Sequence, residues 1–474
     1  MGTVAAVDLG ATSGRVMLGH IGHNELSLRP VARFPNGPVQ RGNGLRWDVD
    51  ALYGHVLAGL AAAVREEPSV ASIGIDSWAV DYALISNGRM LAEPFHYRDE
   101  RNVAAVPSVH ALVTPAELYA SNGLQFLPFN TVYQFAAEAS LAADSFLLIP
   151  DLFAFWLTGQ QVAERTNAST TGMLSLSTGQ WDDELISRLG YPRSLFPSLV
   201  DPGTSIGMLL PSIAASVGAP IEVLAVGSHD TASAVVAVPA ASEDFAYISC
   251  GTWSLVGVEV PSPVLTKESR AANFTNEGGV DGRVRFLHNV MGLWLLSECV
   301  REWGNDDLPG LLAAAAALTG PVGIFDANDP VFSALGDMPG RIAAWLAAHD
   351  QPVPSSQAEY VRSIVESLAG AFADAVNAAA SLSGKTVSVI HIVGGGSLNE
   401  LLCQRTADVS GLPVLAGPVE ATAIGNVLIQ ARAQGFVDGS LEALRALVAA
   451  AFSPKRYLPQ RGPRSEVAAR AAFN

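Results

Sequence analysis

Two segments of this chain, residues 4–18 and 247–260, follow one plan: an apolar run, a short turn of glycine and hydroxyl residues, and a second apolar run. In the first, Val4 leads through Asp8 and the turn Gly10-Ala-Thr-Ser-Gly14 to Leu18. In the second, Tyr247 leads through Gly251-Thr252 to Val260. Each predicts a buried β-hairpin whose turn offers backbone amides and hydroxyls. Two hairpins of one kind, each able to open its own sheet, predict a duplicated α/β fold with its boundary near residue 240, and hence units 1–239 and 240–474. The length of 474 residues agrees, being too great for one ordinary core.

Composition narrows what such a fold can do. Hydrophobic residues make up 49% and charged residues 15%, which favours a packed core over a solvated chain. A net charge of -17 argues against a nucleic-acid partner, which needs a basic face. Lysine occurs only at Lys267, Lys385 and Lys455, so any bound nucleotide is held by backbone amides, hydroxyls, arginine and a metal. Cys250, Cys299 and Cys403 fit neither a disulfide framework nor a CxxC metal site and read as reduced thiols. The N-terminus lacks a basic region before its first apolar strand, and apolar stretches such as 311–318 are too short to span a bilayer. The expectation is a soluble, cytoplasmic protein with no membrane partner.

Within the first unit, residues 73–80 predict a buried strand, and 82–85, Asn87-Gly88 and 90–91 predict strand, tight turn and strand. The segment 221–238 closes the unit. In the second, 341–346 and 358–382 have helical spacing and 387–393 predicts a buried strand that runs into Gly394-Gly-Gly396. Ser397 and Glu400 have the spacing of a capping box, opening a helix that Gly411 closes. A glycine-rich turn between strand and helix lets backbone amides approach a nucleotide closely. Better-known nucleotide motifs are excluded. Ser383-Gly-Lys-Thr386 lacks the earlier P-loop glycine, having Ala379 there, and is a surface turn; the triple glycine meets Asn399 where a dinucleotide fingerprint needs glycine.

Taken singly, these features have plainer readings. Asp8 to Gly14 also fits a tight turn with a satisfied aspartate, Asp230 in Ser228-His-Asp-Thr231 also fits a helix cap, and Arg15 also fits a structural ion pair. His229 also fits a satisfied core histidine, Cys250 reads as a small half-buried residue, and the aromatics of 126–135 fit core packing better than a stacking platform. Together they are more specific. An acidic residue at a strand end, a Gly/Thr/Ser turn, a second such turn and a glycine-rich turn occur in the chain order of actin-like phosphotransferases.

The segments AVDLGATSGRVML (6–18), IGIDSWAVDY (73–82), YRDER (97–101), QFLPFNTVYQ (125–134), SHDTASAV (228–235), GTWSLVG (251–257), NEGG (276–279), NVMGLWLL (289–296), HIVGGG (391–396) and AGPVEATAIGN (416–426) resemble the FGGY carbohydrate kinases over nearly the whole chain. That resemblance implies two ribonuclease H-like (actin-like ATPase) domains around a central cleft, with the sugar on the N-terminal domain and ATP on the C-terminal one. It implies Asp230 as the general base that takes a proton from the sugar hydroxyl. Asp8 becomes the Mg²⁺ contact, through water, since Mg²⁺ takes few carboxylates and keeps its waters. Ala11, Thr12, Ser13, Gly14 and Arg15 would line the phosphates, Thr252 would approach them from the other domain, and Ser297 and Gly396 would meet the nucleotide. The sugar contacts would be Ala79, His229, Asp230, Thr231 and Asn289. Three positions depart from the family pattern: Ala79 stands where glycine is usual, Cys250 where serine is common, and Ser297 where relatives carry a longer polar side chain. DSWAVDY, QFLPFNTVYQ, SHDTASAV and NVMGLW point within the family to L-rhamnulose as acceptor, giving L-rhamnulose 1-phosphate. L-fuculose, L-ribulose and D-xylulose are the competing ketoses. The same architecture also serves ATPases without a small-molecule acceptor, and a base facing a sugar pocket is what separates the two.

Overall fold

A computed structural model of the chain describes residues 1–22, 25–42 and 44–460; residues 461–474 of the expected second unit lie outside the described residues. The opening hairpin forms as its pattern predicts. β1 (Gly2–Leu9) and β2 (Ser13–Gly22) pair antiparallel, placing Asp8 opposite Arg15. All of β1 after Gly2 is buried, which explains why its sequence is an apolar run and not an alternation: a central strand covered on both faces has no solvent side. β3 (Glu25–Pro35) adds antiparallel to β2, and β4 (Val70–Ser77) adds parallel to β1 with Asp76 opposite Asp8. β5 (Ser205–Met208) and β6 (Glu222–Leu224) complete a six-stranded sheet of order β5-β6-β4-β1-β2-β3.

The second hairpin, β7 (Phe245–Cys250) and β8 (Trp253–Val260), opens a sheet of the same plan. With β9 (Thr275–Gly278), β10 (Val284–Met291), β11 (Val389–Val393), β12 (Val414–Ala416) and β13 (Lys455–Tyr457), the order is β9-β10-β8-β7-β11-β12-β13. Leaving aside β9, each sheet has three antiparallel strands built on the hairpin, two strands parallel to its first strand, and an antiparallel edge strand. The architecture is α/β, with two ribonuclease H-like units around a central cleft.

Helices cover the sheets for local reasons. α1 (Val49–Glu66) starts at Asp48, whose side chain accepts from Ala51 N, and buries Leu52, Val56, Leu60 and Ala63 at helical spacing. Gly59 brings it close to the sheet, since a Cβ there would lie 2.6 Å from Val16. α2 (Ile149–Thr158) joins the same core. α3 (Asp230–Val236) packs with a later helix between the two sheets, while α4 (Trp294–Trp303) and α5 (Gln357–Ser383) belong to the core of the second. α5 begins at the Ser356 cap and ends at Gly384 with φ +69°. The tight turn expected at Asn87-Gly88 has both residues left-handed, as a two-residue hairpin loop requires. Among the described residues no helix is long and apolar enough to cross a membrane.

One local expectation is corrected. Ser397 does not cap a helix; it lies in the 3-10 turn Gly395–Leu398 and donates through Oγ to Gly394 O at 2.6 Å. Asn399 is the cap instead, with Oδ1 accepting from Leu402 N at 3.0 Å, and α6 (Glu400–Ser410) ends at Gly411 as predicted. The glycine turn takes up Ser397 before the helix begins, so the capping position moves two residues on. α7 (Ala421–Ala433) then returns to lie against α3.

Candidate active site

A cavity of about 580 Å³ lies between the sheets, and both hairpin turns line it. At one end, Gly10 N donates to Ser13 O at 2.9 Å and closes the first turn, leaving Thr12 and Ser13 exposed. Asn36 braces it from behind, donating through N to Thr12 O (3.1 Å) and through Nδ2 to Gly10 O (2.8 Å). The second turn is held by the segment after β10: Leu293 N donates to Gly251 O at 2.9 Å and Trp294 N to Thr252 O at 3.2 Å. Gly292 permits this approach, because a Cβ there would lie 2.6 Å from Gly251 O. Gly394 and Gly395 complete this end of the cavity, with open space beside Gly395.

Asp8 is the next-to-last residue of β1 and lines the cavity beside the first turn. Arg15, across the hairpin, donates to its Oδ2 from Nε at 2.8 Å and approaches from Nη2 at 2.7 Å, while Arg15 Nη1 meets Glu420 at 2.5 Å. Arg33 joins Glu420 at 2.6 Å. The ion-pair reading of Arg15 is therefore realised, on a residue that also lines the cavity. Burial pushes the Asp8 carboxyl up, Arg15 pulls it back, and Asp230 and Glu420 push it up again, so that it stands above the ordinary carboxylate range. Asp76, its parallel partner on β4, is fully buried and accepts from Asn426 Nδ2 at 2.6 Å; burial and then Asp8 push its carboxyl well above that range.

Asp230, which lines the same cavity, is the first residue of α3. A bridge between Ser77 and His229, with Ser77 N donating to Ser228 O at 2.9 Å, ties this helix start to the end of β4. The capping reading of Asp230 is not realised: His229 occupies the cap position without a side-chain bond, and Asp230 Oδ1 accepts from Thr231 Oγ1 at 3.1 Å. The carboxylate is thus held at the cavity wall with its side chain 31% exposed. His229 Nε2 lies 3.5 Å from Asp230 Oδ1. Its Nδ1 lies 3.1 Å from Arg285 Nη2 and 3.3 Å from Glu277 Oε2, both from the second sheet.

Asn289 is oriented from across the cleft. Its backbone N and Nδ2 donate to Gln125 Oε1 at 2.8 and 3.0 Å, which fixes the end of the amide that faces Gln125. Ala79 lies beside a backbone outlier, Val80, with φ +67°, a conformation costly for a β-branched residue. Thr131 Oγ1 donates to Val80 O at 2.7 Å, and the next residue, Asp81, anchors the turn. The Asp81 carboxylate accepts from Trp47 Nε1 (2.6 Å), Trp78 Nε1 (3.1 Å), Tyr97 N (3.1 Å) and Gln134 Nε2 (2.8 Å). These bonds set Trp78 and Tyr97 in the cavity wall, where Val80, Leu124, Phe129 and Trp253 add apolar surface. The 126–135 segment divides accordingly: Tyr133 and Phe135 are core, Phe129 is wall.

Of the residues predicted from sequence, Asp8, Ala11, Thr12, Ser13, Arg15, Ala79, His229, Asp230, Thr231, Thr252 and Asn289 all line this one cavity. Gly14, Ser297 and Gly396 do not. Gly14 is a packing glycine, since a Cβ there would lie 2.2 Å from Phe34; Gly396 sits against Cys250, whose Sγ a Cβ would meet at 2.1 Å; Ser297 is exposed on α4 and is not part of the lining. Cys250 is buried and not half-buried, and burial pushes its thiol up to about 11, which removes a reactive role. Sequence reasoning missed Asn36, Asp76, Gln125, Glu277, Arg285 and Glu420. Asp76 left a signal as a second acidic residue near the end of a buried strand, and Gln125, Glu277 and Glu420 lie within segments that carry the family resemblance. No cluster of three or more metal-ligating side chains exists among the described residues.

Two sheets of one plan, hydroxyl-rich turns converging on a shared cavity, and a carboxylate at a helix start between them define a phosphotransferase of the actin-like kind. The chain belongs to the FGGY family of carbohydrate kinases, whose N-terminal domain matches residues 3–237 and whose C-terminal domain matches residues 246–434. It is a carbohydrate kinase, with ATP as phosphoryl donor. It is 40% identical to a rhamnulokinase of Bacteroides thetaiotaomicron, over 96% of this chain and 95% of the relative. It is 44% identical to a rhamnulokinase of Pectobacterium carotovorum, over 96% and 93%. A xylulose kinase of Lactobacillus acidophilus shares its fold, with a TM-score of 0.80 at 17% identity, covering 97% of this chain and 94% of that one.

Proposed function

We propose that the enzyme transfers the γ-phosphoryl group of ATP to the C1 hydroxyl of L-rhamnulose, with Asp230 as general base. The observation that carries this reading is the Asp230 carboxylate: not engaged in capping α3, it lines the same cavity as both hairpin turns. The hydroxyl oxygen attacks the γ-phosphorus as its proton passes to Asp230, and the bond from the γ-phosphorus to the bridging oxygen breaks to leave ADP. Ala11, Thr12, Ser13 and Arg15 receive the phosphates from one side and Thr252 from the other. Gly395, with open space beside it, admits the nucleotide, and Gly14 and Gly396 support their turns by close packing.

The substrate nucleotide carries Mg²⁺, which neutralises phosphate charge. Asp8 would hold it through water, and the crowding of Asp8, Asp76 and Asp230, whose mutual repulsion a cation relieves, fits that role. His229, Thr231, Asn289 and the backbone at Ala79 contact the sugar hydroxyls, while the Trp78, Val80 and Leu124 wall suits the terminal methyl of a 6-deoxy ketose. Residues 1–239 carry the sugar side and 240–474 the nucleotide side.

One methyl group is worth only about 1–3 kcal/mol, so related ketoses are expected to react slowly and not to be refused. The test compares kcat/KM for L-rhamnulose, L-fuculose, L-ribulose, D-xylulose and glycerol, with the phosphorylated carbon identified by NMR. Preference for a competitor, or phosphate on a carbon other than C1, defeats the proposed acceptor. ADP release without any sugar dependence defeats the kinase mechanism.

A further inference from the structure

We propose that Arg285 and Glu277 are positioning residues that fix the tautomer of His229, so that its Nε2–H faces Asp230 and the sugar. The inference rests on Asp230 being the base. Glu277 on β9 and Arg285 on β10 stand directly opposite in register. Arg285 is fully buried and Glu277 nearly so, with Arg285 Nη2 3.1 Å from Glu277 Oε2 and Arg285 Nε donating to Gly278 O at 3.0 Å. A buried ion pair can often be replaced by apolar side chains without loss of stability, so stability alone does not account for this one.

Its neighbour does. Arg285 Nη2 is at hydrogen-bond distance, 3.1 Å, from His229 Nδ1. A guanidinium has no acceptor, so Nδ1 must accept, and the neutral imidazole then carries its proton on Nε2. Glu277 by itself, 3.3 Å from Nδ1, favours the opposite tautomer; Arg285 engages the same Glu277 oxygen and takes up that charge. Burial raises the Glu277 carboxyl and the Arg285 guanidinium lowers it, and Glu277 is the anion that keeps Arg285 in place. The charged groups facing the ring are therefore Glu277 and Arg285 from the second sheet and Asp230 from α3.

The consequence is chemical. With Nε2 protonated, His229 presents a donor to the Asp230 carboxylate and to a ketose oxygen beside the reacting hydroxyl. With Nε2 bare, two acceptors would face each other 3.5 Å apart and compete for one sugar proton. Because the pair comes from the second sheet, this choice holds only while that sheet stands against α3.

The test begins with the unmodified enzyme. NMR of ¹⁵N-labelled imidazoles, with His229 assigned by its loss in His229→Gln, is expected to show the Nε2-protonated tautomer; an Nδ1-protonated ring overturns the proposal. The double variant Glu277→Met/Arg285→Met removes both charges and so leaves no orphan. It is expected to lose about tenfold or more in kcat/KM for the ketose, with KM for ATP within about twofold of wild type. Unchanged ketose kinetics in the folded double variant also overturn it, and Arg285→Gln, whose amide oxygen can accept from Nδ1–H, supplies the same reading if the double variant does not fold. Wild-type enzyme without ketose turnover would instead defeat the functional reading and leave the tautomer measurement standing.

Discussion

Asp230 and Asp81 are both buried or half-buried aspartates near the proposed sugar site, yet their bonds give them different work. Asp230 accepts from Thr231 and lines the cavity. Asp230→Asn is therefore expected to lower kcat by at least about a hundredfold while ATP and sugar binding, followed by calorimetry, stay near normal. Near-normal kcat would remove the base assignment. Asp81 accepts from four donors, three of them on Oδ2. An asparagine amide in its place can satisfy those three with its oxygen only by turning its NH₂ against Gln134 Nε2, which is itself held by Val80 O and Phe129 O. Asp81→Asn is expected to cost about 1–3 kcal/mol in urea unfolding and to raise KM for the ketose, because Trp78 and Val80 lose their anchor. An unchanged KM would show that the outlier at Val80 does not depend on Asp81. Such roles were not legible in the sequence: Trp47 and Gln134 flank Asp81 from positions far along the chain, as Gln125 does Asn289, and no local spacing records these meetings.

At the scale of elements, legibility followed the reach of the signal. Hairpins, the Asn87-Gly88 turn and the Gly411 helix end are decided by a few adjacent residues, and these came out as the sequence predicted. The helix cap at Asn399 did not, because the close packing of Gly394 and Gly396 over Cys250 decides where the chain leaves the glycine turn. The same limit applies to the crossing of α3 and α7. Gly425 looks like an ordinary weak point in a helix, but a Cβ there would lie 1.8 Å from Ser233 O on α3, so the crossing admits no larger residue. Beside it, Gln430 Nε2 donates to Asn426 Oδ1 and to Ala5 O, and Ser72 Oγ donates to Gln430 Oε1, which ties α7 to the first sheet and to Asp76. Gly425→Ala is expected to destabilise by about 1–3 kcal/mol through overpacking, at the upper end because the obstacle is backbone, read as a lower urea midpoint. A midpoint equal to wild type would mean that the helices can separate at no cost.

For the whole molecule, the contacts between the halves differ in kind from the contacts within them. Between the sheets, α3 and α7 share an apolar core with Val4, Ala6, Tyr247 and Val393. Around the cavity the halves meet mainly through polar bonds. Asn276 N donates to Gly123 O (2.9 Å), Phe126 N to Asn273 Oδ1 (2.8 Å), Gly278 N to Ser169 Oγ (2.7 Å), and Asn289 to Gln125. At the phosphate end Arg15 and Arg33 meet Glu420. An apolar core is lost at a large cost, whereas polar bonds that are replaced by bonds to water on opening contribute a net of about 0.5–1.5 kcal/mol each, so the halves should open at the cavity and pivot at the helix crossing. Opening lets the ketose past the loop 123–126, and closing brings Thr252 toward the first turn and excludes water from the phosphoryl group. Small-angle scattering is the direct measurement. The ligand-free enzyme is expected to have a larger radius of gyration than the structure with its cavity closed by these bonds, and saturating L-rhamnulose with ADP is expected to reduce it toward the value calculated from that structure. Identical profiles with and without ligands, at saturation shown by calorimetry, would reject the hinge and leave the polar bonds across the cavity as fixed parts of the fold.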